Sequence, residues 1–484
     1  MRRASLFIAF AAAAGLLGCV DLAPSYRRPA APIPPSFPTG AAYAPAPAVP
    51  QPVVGWQAFF SDPKLKTVIG EALANNRDLR VAVANIAAAR AQYHVQRAAL
   101  FPKLDANAAA TFGQEPLSVA SGGLTSGAGA SSTVNERLYS LTAGVSAYQL
   151  DLFGRVRNLS RAAQDQYFAT RAARDAAQIT LVSEVAADYL ALGSDRALLK
   201  VAEDTLKSAT ESLQVTKGRF AAGVDSELDI SQAQTTAQQA RFDVARLTTQ
   251  VAQDRNALDL VVGAPVGDDL LPSGIDDPVV VLERLPATVS SAVLLDRPDV
   301  LEAEQQLRAA NANIGAARAA FFPDISLTGS GGLTSLALST LFKGGSGVWS
   351  FAPTVSQTIF DGGANRGNLQ YAKAQREVSL ANYEKTVQTA FREVADALAT
   401  RGTIDEQLAA QQALTDAAAN ALRLSTARYN QGSDVYLNVL IAQRTLYAAR
   451  QTLVTTRLAE ANNLVTLYTA LGGGLNASAA QAGR

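Results

Sequence analysis

Arg318-Ala319-Ala320-Phe321-Phe322-Pro323 closes a helical run that begins at Arg297-Pro298-Asp299, and nearly the same phrase stands earlier in the chain. There, a run from Asn76-Arg77-Asp78 ends in Arg97-Ala98-Ala99-Leu100-Phe101-Pro102. Asp78 to Asp299 and Phe101 to Phe322 are each 221 residues apart. Leu152-Phe153-Gly154 answers Ile359-Phe360-Asp361-Gly362. Arg219-Phe220-Ala221-Ala222-Gly223 answers Arg428-Tyr429-Asn430-Gln431-Gly432 at an offset of 209, which assigns about twelve extra residues to the first copy, between Pro102 and Phe153. A unit of helix, hairpin, long helix, turn and helix written twice predicts an internal structural duplication.

Outward from the Phe-Pro phrases the period changes to two. Leu104, Ala106, Ala108, Ala110 and Phe112 alternate with more polar residues, as do Tyr139, Leu141, Ala143, Val145 and Ala147. Gly122 to Ser132 reads as the loop between these strands. In the second copy Ile325, Leu327 and Gly329 face Trp349, Phe351, Pro353, Val355 and Ile359 across a Gly-rich loop at Lys343 to Gly347. Pro353 predicts a bend or an edge position. One apolar face and one face of Ser and Thr fit a transmembrane barrel with a wet lumen. Four strands cannot close such a barrel, and lipid forbids open edges. Several chains must then share one barrel, and three chains of four strands would give twelve.

Beyond the strands lie long proline-free stretches. From Arg155 to Lys217 the only glycine is Gly193, with apolar residues at helical spacing. About 60 continuous residues would make a helix roughly 90 Å long, which needs coiled-coil neighbours along its length. Asn368 to Asn430 repeats the case. Gly223 and Gly432 suit left-handed C-cap positions, and returning helices follow at Glu227 to Val261 and Val435 to Leu471.

Met1-Arg2-Arg3, an apolar run from Leu6 to Gly15 and Leu16-Leu17-Gly18-Cys19 resemble a bacterial lipoprotein signal. Cys19 is the only cysteine, so the expected reading is a lipidated mature N-terminus. Ten of the twenty prolines lie between Pro24 and Pro52, which predicts an extended tether. With 42 basic and 42 acidic residues and no basic block, nucleic-acid binding is disfavoured.

Taken together in this order and doubled, several segments resemble the TolC-like outer membrane factors, in the lipoprotein branch that serves RND-type multidrug efflux systems. They are Asp151-Leu152-Phe153-Gly154-Arg155, Arg297-Pro298-Asp299-Val300, Ala303-Glu304-Gln305-Gln306-Leu307 to Pro323, Ile359 to Gly363, and Arg428-Tyr429 through Ala442-Gln443-Arg444. The resemblance implies a mixed α and β homotrimer. A 12-stranded outer-membrane β-barrel, four strands per chain, would continue into a long periplasmic α-helical barrel. It implies a passive export duct for small molecules such as drugs, solvents or toxic metabolites, with a periplasmic adaptor and an inner-membrane RND pump as partners. No cofactor or metal is implied. The expected organisation is a signal at 1–18, tether at 19–62, helix at 63–100, hairpin at 101–153, long helical hairpin at 154–262, linker at 263–296, helix at 297–321, hairpin at 322–361, long helical hairpin at 362–472 and a flexible end at 473–484.

By motif position the resemblance places Tyr429, Leu437 and Arg444 at a periplasmic gate, with Asp225 and Asp229 on the first hairpin. The family's usual acidic residue is Ile441 here, so Leu437 and Ile441 would form an apolar ring. Arg219, Gly223 and Gly432 would mark the adaptor-contacting tips. Two other readings of the chain compete with the duct, and a third keeps it but changes the cargo. An enzyme finds no support in a chain with one histidine, His94, one cysteine and no catalytic motif. A structural coiled-coil lipoprotein would not need two alternating hairpins. A duct for type I protein secretion differs only in cargo.

Overall fold

The computed structural model describes residues 20–43, 55–116, 133–275 and 290–474. Cys19, the signal before it, the loop at 122–132, residues 276–289 of the linker and the end of the chain from 475 lie outside these ranges. The helices and strands run as α1 (Trp56–Phe59), α2 (Pro63–Asn75), α3 (Arg77–Ala98), β1 (Leu104–Pro116), β2 (Thr133–Gln149), α4 (Arg155–Ala221), α5 (Glu227–Val262), α6 (Pro298–Ala319), β3 (Asp324–Ser335), β4 (Gly347–Ser356), α7 (Ala364–Asn430) and α8 (Tyr436–Ala470). The long helices α4 and α7 are each 67 residues, and their returns α5 and α8 are 36 and 35. No described helix is long and apolar enough to cross a membrane. The chain divides into two compact units.

The first unit gathers Met1–Arg28, Ala87–Phe168 and Gln305–Ala381. Its strands form one antiparallel sheet in the order β1-β2-β3-β4. Residues directly opposite across a ladder share a face. Leu104 opposite Val145, Ala108 opposite Leu141, Leu141 opposite Leu333 and Ile325 opposite Val355 therefore build one apolar face. Asn107 opposite Thr142, Ser140 opposite Thr334 and Ser330 opposite Ser350 build the polar one. Trp349 is 83% exposed on the apolar face, so within the chain nothing covers that face. β1 and β4 are the two edges, which places Pro353 on an edge strand.

Carboxylates start the long helices in this unit. Asp151 accepts from the backbone amides of Val156 and Arg157 at 3.1 and 2.8 Å, ahead of α4. Asp361 accepts from Gly363 and Asn365, both at 2.8 Å, ahead of α7. Each satisfies amides that a helix start leaves open. The residues after Cys19 are extended but docked. Asp21 accepts from Asn158 Nδ2 at 2.9 Å and Arg161 Nη1 at 2.8 Å, while Asn311 and Arg318 donate to the Pro24 and Leu22 carbonyls. Burial opposes ionisation of Asp21, but the Ala23 amide, Arg161 and Asn158 outweigh it and bring its carboxyl to about 2.

The second unit gathers Pro29–Ile86, Ala169–Glu304 and Asn382–Arg484. Its core packs Phe59, Phe60, Leu65 and Ile69 against Val182, Val185, Tyr189 and Leu192 of α4, Leu258 and Val262 of α5, and Tyr468 of α8. The helix read at 63–100 is broken at Asn76. That residue has extended backbone, its Oδ1 accepts from Leu79 N at 2.8 Å, and its Nδ2 donates to Val261 O at 2.7 Å. The proline-rich stretch is docked here too. Phe37 stacks on Phe391 at 5.0 Å, and Ser291 donates to the Pro34 and Pro35 carbonyls. Buried Arg297 donates to Asp299, Glu393 and the Ala470 carbonyl, which joins α6, α7 and the end of α8.

Candidate functional site at the hairpin tips

Both helical hairpins turn in the same way. After α4, Gly223 N donates to Phe220 O at 2.9 Å and Val224 N to Arg219 O at 2.9 Å. After α7, Gly432 N donates to Tyr429 O at 2.9 Å and Ser433 N to Arg428 O at 3.0 Å. These are paired Schellman bonds, with φ +72 at both glycines. Each tip also carries an ion pair six residues long, Arg219 to Asp225 at 3.1 Å and Arg428 to Asp434 at 3.2 Å.

The first tip adds a knot of contacts. Tyr429, only 3% exposed, donates its hydroxyl to Asp225. The Arg219 guanidinium lies 4.3 Å over the Tyr429 ring. Burial, and then the bond to Asp225, push the Tyr429 phenol up to about 12. Ala209, Leu213, Ala233, Ala237, Tyr436, Val439 and Leu440 pack around that ring. Thus Arg219, Asp225 and Tyr429 come together, although 204 residues separate the last two.

Asp229 has a local partner. Ser226 is the N-cap of α5, and Asp229 and Ser226 exchange the two bonds of a capping box. Val435, at the equivalent place before α8, has no side-chain cap; Asp434 accepts from Val435 N at 2.9 Å and Asn438 Nδ2 at 2.6 Å.

Leu437, Ile441 and Arg444 are all exposed, while Tyr436, Val439, Leu440 and Ala442 of the same helix are buried. One face of α8 is therefore packed within the chain, and the face carrying Leu437 and Ile441, 47% and 54% exposed, is free of it. Sequence reasoning missed Tyr447, which donates to buried Asp243 at 2.9 Å and ties α8 to α5 further along the hairpins. No local pattern marks a pair 204 residues apart. Cys19 lies outside the described residues. Among the described residues, no cluster of His, Cys, Asp or Glu could hold a metal ion.

Comparison with known proteins places this geometry. The family model for outer membrane efflux proteins matches residues 68–264 and 289–473. The solvent efflux pump outer membrane protein SrpC of Pseudomonas putida is 45% identical over 472 residues, covering 96% of this chain and 97% of that one. The cation efflux system protein CusC of Escherichia coli is 40% identical over 473 residues, covering 96% and 98%. The open-state crystal structure of the Neisseria gonorrhoeae MtrE outer membrane channel superposes with a TM-score of 0.80 at 37% identity, covering 94% of this chain and 98% of that one.

Proposed function

This chain belongs to the outer membrane efflux protein family, and on that premise we propose that three copies close one barrel and form a passive duct for small organic molecules. The chain is an outer-membrane efflux channel protein. The observation that carries the trimer is the open four-stranded sheet, apolar on one face and unpaired at both edges. Lipid cannot satisfy the free amides and carbonyls of an edge, so the edges must pair with other copies. Three chains supply twelve strands, enough to enclose a channel.

The cargo reading rests on composition and on the relatives. One relative is named for solvent efflux and another for cation efflux. This chain has one Met, one Cys and one His, which leaves few soft ligands for a thiophilic cation along a lumen. Organic compounds fit better. The protein is no enzyme in this reading: it guides cargo handed over by a periplasmic adaptor and an inner-membrane RND pump. Cys19 carries a lipid anchor in the outer membrane.

At the tips, the division of exposed and buried residues supports two roles. Leu437, Ile441 and Arg444 narrow the pore, three copies forming a ring around the axis. Arg219, Asp225 and Tyr429 hold the first tip in shape, and Asp229 holds the start of α5. Gly223 and Gly432 present the turns to the adaptor. The combined substitution Leu437→Ala, Ile441→Ser should raise single-channel conductance with trimer melting nearly unchanged. Unaltered conductance with an earlier melt would assign that face to packing. Deleting the gene should sensitise cells to drugs or solvents, and sensitivity confined to metal ions would overturn the cargo reading.

A further inference from the structure

The internal repeat contains one joint between its two halves, where the end of β2 meets the start of β3. There Leu150 N donates to Ile325 O at 2.7 Å, and the Phe153 ring stacks on Phe322 with centroids 4.6 Å apart and planes 19° apart. Phe153 follows the first hairpin and Phe322 closes the second repeat helix. The repeat equivalents of these rings are Phe360, after the second hairpin, and Phe101, which closes the first repeat helix. Within the chain these two have no ring to stack on and are 89% and 62% exposed. Their neighbours follow suit. Ile359 is 97% exposed where its equivalent Leu152 is 40%, and Leu104 is 74% exposed where Ile325 is half-buried.

Every exposed member of this set lies beside an open edge of the sheet, at the end of β4 or the start of β1. The chain thus holds one complete joint and the two complementary halves of a second. We propose that Phe360 of one copy stacks on Phe101 of the next, so that each junction between copies repeats the Phe153–Phe322 joint. Such a contact is heterologous, and three rotations close it into a ring. The aromatic pairs would then alternate around the ring, one within a chain and one between chains. The pairing rests on the trimer and names the contact that orders it.

Two measurements test it. The first is thiol cross-linking with a short bifunctional reagent. Phe153→Cys with Phe322→Cys should cross-link within one chain, which calibrates the reach of the reagent. Phe101→Cys with Phe360→Cys should yield covalent dimers and trimers on a denaturing gel, and neither single variant should do so. Native mass spectrometry of the unsubstituted protein reports the trimer separately. An intact trimer with a working intrachain control but no Phe101–Phe360 ladder overturns the stacking alone. Absence of the trimer itself overturns the assembly.

The second is a double-mutant cycle on trimer dissociation, which needs no cysteine. Phe101→Ala and Phe360→Ala should each weaken the trimer, and the pair together should weaken it less than the product of the two. The shortfall should be about twofold to tenfold, the range of an aromatic pair. Fully multiplicative effects would overturn the contact.

Discussion

The two hairpin tips share a turn and differ in what surrounds it. Both use a left-handed glycine, paired Schellman bonds and an Arg–Asp ion pair. At the first tip the ion pair is buried, with side chains 22% and 7% exposed, and it receives the Tyr429 hydroxyl. At the second, Arg428 is 63% exposed and Asp434 serves only its own helix start. The first helix after the turn has a full capping box and the second has none. One backbone motif therefore yields a locked tip and a looser one. The residues proposed to narrow the pore, Leu437, Ile441 and Arg444, follow the looser tip. A gate has reason to sit where fewer contacts resist its movement.

Asp225→Ala should break this asymmetry most. It strands a buried hydroxyl and a guanidinium, at a cost of about 2–4 kcal/mol. Amide exchange across 209–240 should quicken to match the second tip, whereas Asp434→Ala should change exchange much less. Equal effects of the two would mean that burial does not distinguish the tips. Alkali offers the same test without mutation. Because the folded phenol of Tyr429 sits above its unfolded value of about 10, its contribution is complete below that pH. It is lost as pH rises towards about 12. Exchange at the first tip should therefore accelerate over that window, and Tyr429→Phe should remove the dependence.

Glycine substitutions probe what the tips have in common. A Cβ at Gly223 or Gly432 meets no atom within 4 Å, so only the positive φ resists alanine. Each substitution should cost about 1–2 kcal/mol, measured by denaturant titration. A clear inequality between them would show that the turns are not equivalent.

The smallest effects concern the caps. Ser226→Ala should destabilise the start of α5 by about 1 kcal/mol, and Val435→Ser should stabilise α8 by a similar or smaller amount. If the added cap also lowers open-channel conductance, the looseness of the second tip serves gating. If stability rises and conductance holds, the looseness is incidental.

Much of this architecture lies on the surface of the sequence because its causes are local. Alternation of Leu104 to Phe112 and Tyr139 to Val145 is a period of two, and it places those side chains on one face. The proline-free stretches became two helices of equal length. Gly223 and Gly432 turn the hairpins because a left-handed residue is needed there.

What escaped local reading depends on partners far along the chain. Asn76 breaks a continuous helical pattern because its side chain both caps α3 and bonds Val261 of α5. The stretch from Asp21 to Phe37 has the composition of a free tether, yet Arg161, Asn311, Ser291 and Phe391 hold it down. Asp225 and Asp229 look alike in sequence, four residues apart near one turn. Only the packing of Tyr429 against α4 buries the first in a long-range bond, while Ser226 takes the second into a helix cap. Sequence by itself determined the repeat, its periods and its turns, because these follow from bonding between near neighbours. Tertiary structure decided which charged groups are buried and which apolar faces remain open, because that is settled by side chains brought together from positions hundreds of residues apart.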